Sequence, residues 1–109
     1  MVFKVLNLVQ APDGDHEKHR LTLKTSMIEI TTIVVKFGDI NEAVAVAKEM
    51  VEKEGVHSIS VCPGFSHEAV AKISQAVGGR AAVNVSRGDP ESTLKAVEIL
   101  MKEGWFPKP

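Results

Sequence analysis

A chain of 109 residues that is 44% hydrophobic and 25% charged suffices for one core, and we expect a single domain over residues 1–109. Its formal net charge of −1 supplies no field to hold a phosphate backbone, which argues against nucleic acid as a partner. No apolar run nears the roughly 20 residues that cross a bilayer, so no membrane partner is expected either.

The first strand is expected over Val2 to Val9, which is nearly all apolar. Gln10-Ala11-Pro12-Asp13-Gly14-Asp15 reads as a turn-rich loop. Arg20 to Thr25 alternates, with Leu21 and Leu23 on one side, and predicts a short strand; a helical turn begun by Asp15 is the alternative. Met27 to Phe37 is rich in β-branched residues and predicts the strongest strand. A helix then starts at Asp39, with Glu42 completing a capping box, and ends at Gly55; Ile40, Ala43, Val44, Ala47, Met50 and Val51 form its apolar stripe.

His57 to Cys62 is strand-like, followed by a helix from about Ser66 to Val77 that buries Val70, Ile73 and Val77 and stops at Gly78-Gly79. Arg80 to Ser86 is strand-like again. Asp89-Pro90-Glu91 opens the last helix, which is expected to bury Leu94, Val97 and Met101 and to end at Gly104.

This order, β, insert, then β-α-β-α-β-α, predicts an α/β fold with a largely parallel sheet of four to five strands. Within His57 to Cys62 and Ala81 to Ser86 one face is aliphatic and the other small and half-polar. A sheet covered by helices on both faces reads as continuous apolar runs. We therefore expect two layers, with the three helices mainly on one face. The half-polar face would meet the Asp13–Thr25 insert, a second subunit, or both.

In such a sheet the strand-to-helix loops share the edge where α/β proteins hold ligands. Cys62, Pro63, Gly64, Phe65, Ser66 and His67 fall there, as do Arg87 and Asp89. The field of a helix N-terminus favours a thiolate, so Cys62 is a candidate nucleophile with His67 as its proton partner. The plainer reading of Cys62 is a small buried residue. Gly64, Phe65 and Ser66 are candidate ligand-binding residues, with Arg87 or Arg20 supplying charge for an anion. The plainer readings are a turn, a helix start and a solvated arginine.

His16 and His19 are a weak alternative metal pair, joined by Cys62 and His67 if the insert folds over that edge; their spacing matches no zinc pattern, and a solvated loop is the simpler reading. No metal and no particular cofactor is implied. His57, on the aliphatic face, is expected to be structural. Trp105-Phe106-Pro107 is expected either to fold back on the sheet or to dock on another copy, and we favour a homo-oligomer. The single cysteine and the lack of a signal-peptide pattern in Met1-Val2-Phe3-Lys4 lead us to expect a cytoplasmic location.

The run from Val61 to Ile73 with its Cys-x-Gly-Phe turn, followed by Val77-Gly78-Gly79-Arg80, resembles a family of short prokaryotic proteins of unknown function. Ala11-Pro12 and Lys18-His19-Arg20 extend the resemblance over most of residues 2 to 87, and the chain departs from it after Asn84. The resemblance implies a compact α/β domain and no substrate. The expected function is accordingly a small domain that binds a small, anionic ligand at the C-terminal strand edge and self-associates. The alternatives are an enzyme using Cys62 and His67, and an interaction module without a ligand.

Overall fold

The computed structural model describes residues 1–106. Its strands are β1 (Phe3–Ala11), β2 (Arg20–Lys24), β3 (Ile28–Lys36), β4 (Ser58–Val61) and β5 (Ala82–Val85), and its helices α1 (Ile40–Glu54), α2 (His67–Val77) and α3 (Pro90–Lys102). They form one five-stranded sheet in the order β2-β3-β1-β4-β5, parallel throughout except for β2, which runs antiparallel to β3. The α/β, largely parallel architecture read from the sequence is the one found.

The sheet's layout follows from its connections. β1 is joined to β3 through β2, so these parallel neighbours need no helix between them. From β3 the chain crosses β1 to reach β4, then moves on to β5. Crossovers of one hand advancing in one direction put α1 and α2 on the same face. Leu6, Leu8, Ile33, Val35, Ile59 and Val61 point towards them and are essentially fully buried against Ala47, Met50, Ile73 and Val77. Each such side chain contributes about 1.5–3 kcal/mol. Val46 joins this core although the sequence stripe omitted it, and Val44 and Val70 lie at its margin.

The insert both turns and pairs. Lys18 and His19 donate backbone hydrogen bonds to the Asp15 carbonyl, forming the helical turn that Asp15 suggested, and β2 follows as the edge strand. Gly14 sits so close to β3 that a Cβ would overlap the Val35 carbonyl. Since the insert widens the sheet at its edge, it does not cover the face opposite the helices. α2 ends on Gly78 in the left-handed conformation. Arg80 finishes that end by donating to the Val77 and Ala76 carbonyls and reaching Glu52 of α1 at 3.4 Å.

α3 departs from expectation. Leu94, Val97 and Met101 are exposed, not buried; Leu94 keeps 73% and Met101 63% of its accessible surface. No α3 residue is buried, and the helix makes no extensive contact with another element. Helices pack about 8–10 Å apart and strands lie about 4.8 Å apart, so two helices already cover four strands. The fifth strand, β2, turns Arg20, Thr22 and Lys24 to that side and offers no apolar surface to a third. No helix among the described residues is long and apolar enough to cross a membrane.

Candidate functional site

β1 ends between the two loops that lead from β3 into α1 and from β4 into α2. Asp39 caps α1, its carboxylate accepting the Glu42 N–H at 3.0 Å, and Ser66 caps α2, its hydroxyl accepting the Ala69 N–H at 3.1 Å. Each cap satisfies one of the N–H groups that a helix start leaves without an internal acceptor. The N–H groups of Ile40, Asn41, His67 and Glu68 remain at the edge. The loops enclose a crevice of about 130 Å³ whose lining includes Gln10, Phe37, Ile40, Gly64, Phe65 and Ser66.

Gln10 is the telling residue. It continues the inward series Leu6, Leu8, Gln10 and is only 8% exposed, yet no hydrogen bond to its side-chain amide is found among the described residues. Neither polar atom of that amide is sealed from the crevice. Gly64 makes room for it, since a Cβ there would lie 2.8 Å from the Gln10 Nε2 atom. Phe65 is 3% exposed and serves as a hydrophobic wall.

Around this crevice the charges are mixed. The Arg87 guanidinium donates to the Pro63 carbonyl at 3.0 Å and the Phe65 carbonyl at 3.3 Å, bracing the turn from the neighbouring loop. Asp39 is on the rim, Lys36 lies just outside it, and Lys72 pairs with Glu68 at 3.3 Å. Phe37 forms one wall and meets Trp105 and Phe106 edge-on, at centroid distances of 6.5 and 5.9 Å. These two aromatics thus fold back within the chain; Pro107 lies outside the described residues.

The other sequence candidates are scattered. Arg20 is on β2, separated from β1 by β3, and its Nε donates to the His16 carbonyl at 2.8 Å. It lines a groove of about 340 Å³ beside α1 with Lys4, Lys24, Glu29 and Glu54. Cys62 opens on the sheet face away from the helices, in a depression shared with Asn7, Thr32, Ser60 and Ser86. His67 begins α2 and is exposed, and no hydrogen bond joins it to Cys62 among the described residues.

The remaining histidines tie neighbouring segments together. His16 Nδ1 lies 2.8 Å from Glu42, which also accepts the Lys36 N–H, tying insert, β3 and α1 together. His19 Nδ1 accepts the Asp15 N–H, and His57 Nδ1 accepts the Lys4 N–H at 2.9 Å, the structural use expected for His57. The Asp15 carboxyl is held below its ordinary range, first by the Glu17 N–H it accepts. Among the described residues no three histidine, cysteine or acidic side chains are grouped to hold a metal ion.

Gln10 and Phe37 were not read as site residues. The turn residues Ala11-Pro12-Asp13 make Gln10 read as part of a loop, although the period of Leu6 and Leu8 continues through it. The fold and its crevice define a small two-layer α/β protein with a mixed, largely parallel sheet. More specifically, the chain belongs to the family of unknown function DUF6506, whose model matches residues 3–101. The resemblance to a family of unknown function therefore stands, and it runs on through α3 to residue 101 instead of ending after Asn84. No curated protein and no solved structure matches the chain.

Proposed function

We propose that this protein binds a small ligand bearing an oxyanion, a carboxylate or phosphate group, in the crevice at the carboxyl end of β1, and that it does so as an assembly of copies. Gln10 carries the reading. Its amide has no protein partner among the described residues and stays open to the crevice, so a ligand can pair with it without displacing a hydrogen bond of the fold. Its Nε2 would donate to a ligand oxygen. The free N–H groups at the starts of α1 and α2 converge on the same edge, where helix polarity favours negative charge.

Size limits the ligand. A crevice of about 130 Å³ is well below the roughly 300–1,000 Å³ of sites for drug-sized molecules. It admits one small acid group, with the rest of a larger ligand lying outside. Gly64 and Ser66 shape the entrance, and Arg87 adds positive charge while holding the turn. Self-association is supported by the apolar surface left uncovered, notably Leu21, Leu23 and Leu94.

Thermal unfolding in sodium phosphate and sodium acetate, against sodium chloride at equal ionic strength, tests the ligand. Binding at about a hundred times Kd stabilises by about 2.7 kcal/mol, readily seen as a raised Tm. Gln10→Leu should abolish that rise while folding as well as the parent, since an apolar isostere removes the unpaired amide. An equal response in parent and variant, or none in the parent, would overturn the assignment.

A further inference from the structure

Alternation along the strands sends one set of side chains towards α1 and α2 and the other to the opposite face, which nothing covers among the described residues. The two sets differ in charge. The helix side carries Lys4, Arg20, Lys24 and Glu29, whereas the open side carries no charge except Lys36 on the last rung of β3. A sheet face that stays in water normally alternates apolar-in with polar-out. Here Leu21, with 75% of its surface exposed, and Leu23, with 64%, point to the open side beside Ile30 and Val34. On β1 Asn7 faces this side, and beyond β1 Ser60 and Asn84 replace the leucines, polar but uncharged. Depletion of charge in the middle of a patch is the compositional mark of an interface.

We infer that this open face is a dimer interface occupied by a second copy of the same chain. The inference rests on the self-association proposed above and assigns it to a surface. Three arguments favour a second copy. First, each copy has a net charge of only −1, so two copies scarcely repel. Second, strand spacing and rise give the face a planar footprint of roughly 500 Å². Its corrugated accessible area is larger and approaches the ~800 Å² that each partner gives to a standard interface.

The third argument is the pattern itself. The apolar half lies on β2 and β3, the polar half on β4 and β5, and β1 is the middle strand. A two-fold axis running across the strands puts apolar half on apolar half and polar half on polar half, with the paired sheets face to face. An axis along the strands would set leucines against serines. The geometry thus orients the dimer and sends the two crevices to opposite ends of it.

Light scattering coupled to size exclusion at micromolar concentration reads the result. Leu23 and Ile30 are direct cross-strand partners, so the double variant Leu23→Lys/Ile30→Glu makes a cross-strand ion pair that keeps the register of the free chain. It also puts two charges into the interface and should weaken the dimer by about a hundredfold or more. Val34→Lys serves as an independent second variant, with circular dichroism confirming that each folds. The expected outcome is a dimeric parent, monomeric sheet variants and a dimeric control carrying Leu94→Glu/Met101→Glu on α3. A monomeric parent overturns self-association and this interface together. A folded sheet variant that remains dimeric, or a control that alone becomes monomeric, overturns the interface and leaves self-association standing.

Discussion

α2 and α3 look alike in sequence and differ entirely in use. Each follows a four-residue strand, begins at a residue type that caps helices, and carries apolar side chains at helical spacing. α2 buries Ala69, Ile73 and Val77, while α3 buries nothing. The difference lies in what remains of the sheet when each arrives. α1 lies over β1 and β3, and α2 beside it takes the β4–β5 side. A stripe of apolar residues therefore announces that a helix has something to cover; whether its own chain supplies the surface is decided by strand order and area.

The sharpest test of this contrast is truncation on each helix. Ile73 is fully buried, so Ile73→Ala should cost about 2–5 kcal/mol, the transfer term plus the cavity left behind. Leu94→Ala, at a position with 73% of its surface exposed, should change stability by no more than about 0.5 kcal/mol. Urea unfolding of both variants at one protein concentration measures the pair. A loss above about 1 kcal/mol at Leu94 would mean that α3 is packed in solution, and the contrast between the helices would fail.

The same contrast explains what was legible beforehand. Alternation within β4 and β5 disclosed a two-faced sheet, and the caps at Asp39 and Ser66 disclosed where the helices begin, because both signals are local. The burial assigned to Leu94, Val97 and Met101 failed because it depended on free sheet area, which no local pattern records. Arg20 was grouped with the Gly64–Ser66 edge for a similar reason. Only the antiparallel pairing of β2 with β3 puts Arg20 on the edge strand, where it lines the groove beside α1 and not the crevice of Gly64 and Ser66. Gln10 was hidden by the turn residues after it, while its inward direction was written in the period of Leu6 and Leu8.

The helix caps carry the contrast to a smaller scale. Ser66 accepts the Ala69 N–H, whereas the Asp89 side chain makes no capping hydrogen bond to α3. Ser66→Ala should therefore cost about 1 kcal/mol. Asp89→Ala forfeits only the interaction of an exposed carboxylate with the helix dipole, about 0.3 kcal/mol at such a site. The position of the helices reinforces the difference. Loosening the first turn of α2 disturbs Ala69, which is buried, and also the wall of the crevice at Ser66. Fraying the first turn of α3 exposes nothing that was covered. Urea midpoints with unchanged slopes compare the two directly. Equal losses would show that the start of α3 is coupled to the core after all, and that the two helices differ in appearance more than in energy.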